Sequence, residues 1–523
     1  MARSTSRRGR RSRQAPTEEI SQGIPQLGKT GLVNRLNPLE PLDPEQVEAI
    51  HNASMRILEE QGVEVLGEQA LTVFRKAGAR VSTDGIVTMD RGLVEEAICC
   101  APSTFKVTPR NPENAIDVGS NAVNFGLVSG PPNVHDCING RRPGNLEDYK
   151  KVISLGQYFN AIKFIGTQGV ATTDLPPNTR HLDTTLCNLT LSDKPFFAIG
   201  IGAGRVEDAV KMAAIARGLS LEQMKDNPTV FTNVNVNSPR KFDDSMAYGA
   251  MQLSMLGQPV VVTPFTLMGA MTPATMAGAL AQQNAEALLG LSLLQLACPG
   301  APVVYGGFTS NVDMRSGSPA FGTPENALAN MAGGQLARRY NLPYRSSACN
   351  ASNASDAQAI WETQMALWGA VMGHANLIYH AAGWLEGGLV ASLEKIVTDC
   401  EMLQHMQYML RPVTVNDAEL GLDAMDEVGP GGHFFGCGHT MERYKTAFYE
   451  PFLSDWQNNE NWVAAGAKDA TQRATEVWQK ILAEFEPPPV DPAIREELEA
   501  FVAKRKEELG RDEPRLEPIS QGC

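Results

Sequence analysis

From about residue 120 onward, short apolar runs alternate with longer amphipathic runs, and this alternation restricts the fold more than any other feature. The apolar runs predict eight strands, at 122–128, 162–166, 195–201, 229–236, 258–265, 301–308, 342–348 and 375–381. Each is followed by a segment with helical periodicity, at 145–158, 179–192, 205–217, 243–256, 274–297, 324–340, 355–373 and 390–410. Since parallel strands need a crossover of a dozen or more residues, the alternation predicts parallel pairing. Eight such units predict an α/β fold of the (β/α)8 TIM-barrel type.

The remaining parts of the chain surround this barrel, which we place at 120–410. An open doubly wound sheet is the alternative, but no GxGxxG motif follows the first strand. Residues 1–40 are polar and basic and are predicted to be a disordered tail. Residues 43–118 predict an N-terminal α+β subdomain, and residues 411–523 predict a C-terminal capping segment with a helical extension.

Charge and composition exclude several kinds of partner. The net charge of −14 argues against nucleic acid, whose phosphates require a positive surface. The longest apolar helical run, 274–297, contains Glu286 and several amides, so we expect no membrane span. The nine cysteines include no CxxC pair, and the Arg-rich N-terminus lacks the apolar segment of a secretory signal. These features predict reduced thiols and a cytoplasmic location.

The segment after the eighth predicted strand, YHAAGWLEGG, is the first candidate site. The carboxyl ends of barrel strands form the catalytic mouth, so this segment places Tyr379, His380, Trp384 and Glu386 there. Trp is the best aromatic residue for holding a cation, and the Glu386 carboxylate beside it would add charge neutralisation. A tryptophan that only packs within its loop is the alternative interpretation.

Two further loops supply polar candidates. After the sixth predicted strand, Arg315 could bind a carboxylate in bidentate fashion, or it could pair with Asp313 and order the loop. After the seventh predicted strand, Asn350 and Asn353 could point into the mouth. Both loops therefore contribute candidate residues for a ligand with hydrogen-bonding groups.

A possible metal site and the absence of known catalytic motifs limit the chemistry. His433, Cys437 and His439 form HxxxCxH, and these are ligands that zinc prefers, but no fourth ligand is implied. We expect no metal and interpret 429–440 as a loop over the mouth; a metal-dependent barrel enzyme is the alternative.

No GxSxG, HExxH or P-loop motif occurs, which argues against hydrolase and nucleotide chemistry. Removal of a methyl group from a quaternary nitrogen needs little acid–base help, because the departing amine is neutral.

Several long motifs resemble the trimethylamine methyltransferase family, over about residues 43–456. They include GQPVVVTPFTLMGAMTPATMAGALAQQNAEAL, DMRSGSPAFGTPE, HAAGWLEGGLVASLEK and EVGPGGHFFGCGHT. The resemblance implies a (β/α)8 barrel that transfers a methyl group from a methylated amine to the Co(I) of a corrinoid. It implies that a separate small protein carries this corrinoid, so we expect no tightly bound cofactor in this chain.

One departure from the family pattern bears on the substrate. Family members that use trimethylamine carry pyrrolysine, and its place falls within CNASNASDAQ, where we assign it to Asn353. An ordinary asparagine stands there, so the chain resembles the family members without pyrrolysine, such as the glycine betaine methyltransferases. The resemblance therefore implies a quaternary, betaine-like amine; a trimethylamine-type methyltransferase and a non-catalytic amine-binding barrel are the alternatives.

The hypothesis assigns roles to the candidate residues. Trp384, Tyr379 and Phe308 are expected to form the cation cage, and His380, Asn350 or Arg315 to bind a substrate carboxylate. The catalytic candidates are Asn350, Asn353 and Glu386. We expect the corrinoid protein to dock over the mouth, near 266–273 and 429–440, and the enzyme to be a homo-oligomer.

Overall fold

The centre of the molecule is a closed ring of eight parallel strands, which confirms the predicted (β/α)8 barrel. The computed structural model describes residues 23–29 and 31–511. The strands are β1 (Ala122–Leu127), β2 (Ile162–Gly166), β3 (Phe196–Ile199), β4 (Val230–Val234), β5 (Val260–Val262), β6 (Val303–Gly306), β7 (Tyr344–Ser347) and β8 (Leu377–Ala382). Each strand pairs with the next, and β8 pairs in parallel with β1, so the ring has no free edge.

Eight helices connect these strands and cover the outside of the barrel. They are α1 (Leu146–Tyr158), α2 (Arg180–Leu191), α3 (Ala203–Arg217), α4 (Asp244–Met255), α5 (Met276–Ala297), α6 (Pro324–Arg339), α7 (Ala357–Met372) and α8 (Leu393–Met409). Most begin after a short side chain that caps the first turn, such as Asn145, Thr323 and Asp356. The helices therefore begin within a few residues of the positions that the sequence predicts.

The barrel interior is filled by side chains rather than open. Phe164, Phe231, Val304 and Leu377 point inward and form a buried cluster. Gly126 lies opposite Phe164, and a Cβ atom there would stand 2.3 Å from the ring. Small and large residues thus alternate around the interior and fill it. A ligand can therefore reach the barrel only at the ends of the strands.

A hairpin of the N-terminal part closes the end of the barrel at which the strands begin. A hairpin of two strands, Thr104–Val107 and Ile116–Gly119, packs its apolar side chains against Phe231, Val304 and Leu377. The rest of this part consists of the helices Pro44–Arg56, Glu68–Lys76 and Arg91–Cys99, the π-helical turn Ile57–Gln61, and the strands Val63–Val65, Arg80–Val81 and Ile86–Thr88. Lys241–Phe242, from the loop after β4, pairs with Val63–Val65 and joins this sheet to the barrel. The hairpin therefore blocks the end of the barrel opposite the mouth.

The segment 31–40 differs from the prediction of a disordered tail over 1–40. Leu32–Val33 pairs antiparallel with the start of β1, and the amide of Asn34 is fully buried and donates to the carbonyl of Val371 at 2.8 Å. Two apolar residues are too few to be recognised as a strand by their periodicity. Residues 1–22 lie outside the described part of the chain.

Two small sheets flank the mouth of the barrel. One contains Phe265–Met268, Phe308–Val312 and Pro319–Ala320. The other contains Asn133–Asp136, Gly140–Pro143, Trp384–Leu385 and Val390–Ser392. Both are built from loops that follow the barrel strands, so they hold these loops in fixed positions.

The C-terminal part consists of an exposed segment followed by two long helices. The short helices are Asp417–Leu420, Leu422–Val428, Gly438–Arg443 and Asn459–Ala464, and the long ones are Ala470–Glu484 and Pro492–Arg511. The long helices pack on the barrel, where Trp478 donates to Glu394 at 2.8 Å and Arg505 pairs with Asp208 at 2.9 Å. Within the described residues, none of the helices combines the length and apolar character needed to cross a membrane.

Candidate functional site

Five aromatic side chains meet at the mouth of the barrel. Phe308 lies at their centre, stacked on Phe321 with ring centroids 5.2 Å apart and 5.0 Å from the ring of Phe265. The rings of His380 and Trp384 lie 6.1 Å and 6.5 Å from that of Phe308, and these two rings are 4.1 Å from each other. His380 lies in β8, and the other four side chains come from the loops after β5, β6 and β8. The carboxyl ends of these strands lie together in a parallel barrel.

A buried arginine lies directly below this aromatic cluster. Arg345 stands in the middle of β7, is 2% exposed, and its guanidinium carbon lies 5.2 Å from the centroid of Phe308 and 4.4 Å from that of Tyr379. One amino group donates to the carbonyl of Gly307 at 3.4 Å, whereas Nε has no hydrogen-bond partner. Burial lowers the pKa of Arg345 to about 10, so the group stays charged at neutral pH.

This arginine has no carboxylate partner among the described residues. A buried cation without a partner costs several kcal/mol, because desolvation of an ion is only offset by a nearby opposite charge. The faces of two aromatic rings recover part of this cost. The site is therefore complementary to an anionic group that would reach Arg345 through the mouth.

The backbone at His380 is shaped to place its ring in the cluster. Between Ile378 and Ala382 the register of β8 against β1 shifts, and His380 has a φ of 56°, which is rare for a residue with a side chain. Burial, and then the nearby charge of Arg345, hold the pKa of His380 well below its usual value of 6.5. The imidazole is thus neutral, and its Nδ1 atom has no hydrogen-bond partner.

Tyr379 lies deeper than the mouth and supports Arg345. Its ring lies 5.0 Å from the rings of both Phe164 and Phe197. It also lies 5.9 Å from the ring of His380 and 4.4 Å from the guanidinium carbon of Arg345. Burial raises the pKa of the phenol, and its hydroxyl has no hydrogen-bond partner. Tyr379 is therefore close to the site, but its ring already faces a cation of the protein.

Asn350 fixes the position of Trp384. Its amide nitrogen donates to the carbonyl of Trp384 at 2.5 Å and to the hydroxyl of Thr363 at 3.0 Å. In return, the indole nitrogen of Trp384 donates to the carbonyl of Asn350 at 3.2 Å. These bonds link the loops after β7 and β8, so the indole is held by both.

Glu386 is occupied by an ion pair. Both of its carboxylate oxygens accept from Nε of Arg141, at 3.1 and 3.0 Å, and the pair is partly exposed. Its backbone nitrogen donates to the carbonyl of Ser352 at 2.8 Å, which ties the loop after β8 to that after β7. The carboxylate proposed to neutralise a bound cation is thus already neutralised by Arg141.

Asn353 and Arg315 lie away from the aromatic cluster. Asn353 is exposed, in a loop whose backbone donates from Ala351 and Ser352 to Glu362. Arg315 is exposed in a turn where Asp313 accepts from backbone nitrogens, so the considered side-chain pair between Asp313 and Arg315 does not form. Of the sequence candidates, the structure brings Phe308, His380, Trp384 and Asn350 together, with Tyr379 below them.

The HxxxCxH segment does not converge on a metal. His439 bonds the carbonyl of Ala418 at 3.1 Å, and Cys437 lies 3.3 Å from the hydroxyl of Thr440. Over residues 23–29 and 31–511, no group of three or more His, Cys, Asp or Glu side chains is arranged to hold a metal ion.

Sequence reasoning missed Arg345, Phe265 and Phe321. Arg345 is the only charged residue in LPYRSSA, and a charge within a predicted barrel strand is a signal that could have identified it. Phe265 and Phe321 carry no such signal, because apolar residues at the ends of strands are common. Their role depends on loops that fold back over the mouth.

Comparison with known proteins confirms the predicted family resemblance. Residues 5–510 match the family described as trimethylamine methyltransferase (MTTB). The chain is 36% identical to glycine betaine methyltransferase of Desulfitobacterium hafniense, with 90% of this chain and 97% of the relative covered. It is 30% identical both to trimethylamine methyltransferase MttB of the same species, over 89% and 94% of the two chains, and to proline betaine:corrinoid methyltransferase of Eubacterium limosum, over 79% and 86%. The expectation of a methyltransferase is thereby confirmed, and the chain belongs to the trimethylamine methyltransferase family.

Proposed function

We propose that the protein transfers a methyl group from a betaine, a quaternary amine that also carries a carboxylate, to the Co(I) of a corrinoid on a partner protein. The single observation that carries this proposal is the buried, unpaired guanidinium of Arg345 below a cluster of aromatic rings. A betaine has one group for each of these features. The relatives named for glycine betaine and proline betaine support the same substrate class.

The ammonium end of the substrate fits the aromatic rings of the mouth. Trp384, Phe308 and the neutral imidazole of His380 lie within 6.5 Å of one another and offer ring faces and edges without a positive charge. A quaternary ammonium has no N–H group, so it is bound by ring faces rather than by hydrogen bonds. A protonated His380 would repel this cation, and burial keeps the imidazole neutral.

The carboxylate end of the substrate fits Arg345. A carboxylate accepts two parallel hydrogen bonds from a guanidinium, and such charge-assisted bonds are strong in a buried site. Trimethylamine has no carboxylate, so it would leave Arg345 unpaired. The charge of Arg345 therefore favours a betaine over trimethylamine.

The transfer needs no general acid from the chain. The bond between nitrogen and the methyl carbon breaks with its electron pair on nitrogen, and Co(I) supplies the pair that forms the new bond to carbon. The amine leaves neutral, so no proton is required. The chain excludes water around the ammonium and orients the substrate so that one methyl group points toward the mouth.

The methyl acceptor approaches from the open end of the barrel. The opposite end is filled by the hairpin Thr104–Val107 and Ile116–Gly119, so the corrinoid of the partner protein enters as a substrate at the mouth. Residues 266–273 follow Phe265 at this end and are the proposed contact. Residues 429–440 belong to the exposed C-terminal segment and make their described hydrogen bonds within it.

The test is methylation of free cob(I)alamin by the purified protein with glycine betaine, proline betaine or trimethylamine. Methylcobalamin has its own absorption spectrum, which reports the transfer directly. We expect methylation from a betaine and at least tenfold less from trimethylamine. Transfer from trimethylamine alone would contradict the proposal, and betaine binding without transfer would favour a non-catalytic amine-binding barrel.

We also infer a cytoplasmic location. The eight cysteines within the described residues are free thiols, including the buried Cys187, Cys349 and Cys400. Free thiols persist in reducing compartments. Fractionation of cells that express the protein tests this inference, and recovery outside the cytoplasm would contradict it.

A further inference from the structure

Residues 411–451, here called the arm, expose more apolar surface than any other part of the described chain. Only Ala424 and Cys437 are buried within it. Phe435 is 85% exposed and Phe448 is 82% exposed. The other large apolar side chains exposed here are Val413, Val415, Leu420, Leu422, Met425, Phe434, Met441 and Tyr444.

The arm lacks the structure to be stable by itself. Its helices, Asp417–Leu420, Leu422–Val428 and Gly438–Arg443, have four to seven residues. Isolated helices shorter than about 12 residues are marginal in water, and helices in proteins depend on packing of an apolar face. A surface outside the arm is therefore needed to cover it.

The area involved is that of a protein interface. A large aromatic side chain contributes about 150–250 Å², so the exposed apolar side chains of the arm amount to roughly 1,000 Å². The largest apolar patch of a typical monomer is about 300–600 Å². A stable interface buries about 800 Å² on each partner, which the arm can supply.

The ends of the chain outside the described residues do not have the composition to cover the arm. Residues 1–22 contain Met1 and Ile20 as their only large apolar residues, and residues 512–523 contain Leu516 and Ile519. Four such side chains are too few to cover ten. The cover therefore comes from another molecule.

The position of the arm argues against the corrinoid protein as this molecule. The arm leaves α8 after Leu410, and Tyr449 at its other end packs on His405 and Tyr408, with Tyr408 donating to the carbonyl of Ala447 at 3.2 Å. These contacts lie 12 or more residues from the start of α8 at the mouth, which is about 20 Å along a helix. Both ends of the arm are thus attached to the part of the barrel far from the place of methyl transfer.

A matching apolar surface lies on the outside of α7. Trp361, Met365 and Trp368 are spaced four and three residues apart, so they form one stripe on this helix. They are 62%, 44% and 37% exposed, and Leu328 of the neighbouring helix α6 is 44% exposed. Exposed tryptophans of this kind dominate the energy of protein interfaces. The same chain therefore carries two apolar surfaces, and residues 23–29 and 31–511 cover neither of them.

We propose that the arm of one copy packs on the α7 stripe of a second copy, and that the exchange is reciprocal. In a dimer with twofold symmetry each copy donates its arm and receives the arm of the other. The arm and the stripe of both copies are then covered. The proposal does not depend on the proposed methyl transfer, because it concerns assembly only. It specifies the expected homo-oligomer by its contact residues.

The experiment measures the mass of the full-length protein in solution by light scattering. The arm variant is F435E with F448E, and the stripe variant is W361E with W368E. We expect the wild type to be a dimer or a larger assembly and each variant to shift to the monomer mass. The control is Leu221→Glu, outside the arm and the stripe, in the first turn of the helix Leu221–Met224. Leu221 is 40% exposed, close to the 37% of Trp368.

A mixture of the two variants separates loss of contact from loss of folding. In a mixed dimer one contact contains both altered surfaces, whereas the other contains an intact arm and an intact stripe. We expect the mixture to form dimers that neither variant forms alone, while circular dichroism of each variant remains that of the wild type. Failure of the mixture to associate would overturn the proposal.

Two other results would also overturn it. One is a wild-type protein that is monomeric at micromolar concentration. The other is an arm variant that keeps the wild-type mass. A monomeric wild type leaves one further comparison. If the arm variant then methylates free cobalamin normally but no longer transfers the methyl group to a corrinoid protein, the arm binds that protein instead of a second copy.

Discussion

At the scale of residues, the site depends on the charge of Arg345, whose burial cannot be predicted from the strand pattern. Arg345 is a single polar residue in the predicted strand 342–348, and apolar periodicity does not tell which neighbours it meets. Trp384 and His380 could be predicted, since their loop follows a strand and carries aromatic residues in a polar segment. Arg315, by contrast, has the right chemistry for a carboxylate, but its turn leaves it exposed. The sequence shows which side chains have suitable chemistry for the site, but it does not show which of them are buried.

The two arginines allow a direct test of substrate recognition. We expect Arg345→Gln to weaken glycine betaine binding by about 30- to 100-fold, because a charge-assisted hydrogen-bonding pair in a buried site contributes about 2–3 kcal/mol. Arg315→Gln is the matched control, since the side chain of Arg315 is exposed and makes no hydrogen bond within the described residues. Isothermal titration calorimetry measures both. Equal effects of the two substitutions would refute the assignment of Arg345 to the carboxylate.

Trp384 is expected to recognise the positive charge of the substrate. The compound 3,3-dimethylbutanoate has the shape of glycine betaine with a neutral carbon in place of nitrogen. We expect the wild type to prefer glycine betaine by about tenfold, since a cation over a desolvated aromatic ring gains about 1–2 kcal/mol. Trp384→Leu should abolish this preference, whereas Phe321→Leu, which changes the ring stacked on Phe308, should retain it. An undiminished preference in Trp384→Leu, measured by calorimetry, would exclude a cation–π role for this residue.

At the scale of elements, the strands and helices of the barrel were predictable because each repeats one local pattern. The irregular parts were not. The register shift at His380 depends on pairing between β8 and β1, which are about 250 residues apart in sequence, and local periodicity contains no information on such pairing. The same applies to the buried pair of Lys395 and Asp399, which joins α8 to the loop after β8 because Asp399 accepts from the backbone of Gly383 at 2.8 Å.

Helix α5 carries a buried acid that makes the stability of the protein depend on pH. Burial raises the pKa of Glu286 from 4.5 to about 7, against the hydrogen bonds that it accepts from Ser238, Gln282 and the backbone of Arg240. The folded state therefore binds this proton more tightly than the unfolded state. The resulting stability is fully present below pH 4.5 and is lost as the pH rises through about 7.

We expect Glu286→Gln to remove this loss, which is on the order of 3 kcal/mol for a shift of this size. The melting temperature of the wild type should fall relative to that of the variant by about 3 °C between pH 5 and pH 8. Glu48→Gln is the control, because Arg339 holds the pKa of Glu48 below its usual value and that carboxylate is ionised throughout this range. Parallel pH profiles of the wild type and Glu286→Gln would contradict the argument.

At the scale of the whole molecule, the two ends of the barrel have different tasks. The hairpin at one end contributes only apolar side chains to the interior, whereas the other end combines aromatic rings with a buried charge. The barrel was predictable from the number of repeats, and the location of the site followed from the direction of the strands. The packing of residues 31–40 on β1 and the exposure of the arm were not predictable, because both depend on surfaces formed only after the barrel has closed.

This division predicts that stability and activity can be changed separately. Ile116 is 3% exposed in the hairpin, and Ile116→Ala should lower the free energy of unfolding by about 2–4 kcal/mol, because it leaves a cavity in a packed core. Its KM for glycine betaine should stay within twofold of the wild-type value. Phe308→Leu keeps most of the apolar volume at the mouth, so it should cost less stability but raise KM at least tenfold. Denaturant unfolding and initial rates of cobalamin methylation measure the two effects. A large rise in KM for Ile116→Ala, with Phe308→Leu unchanged, would place substrate binding at the hairpin end and would be incompatible with the site described above.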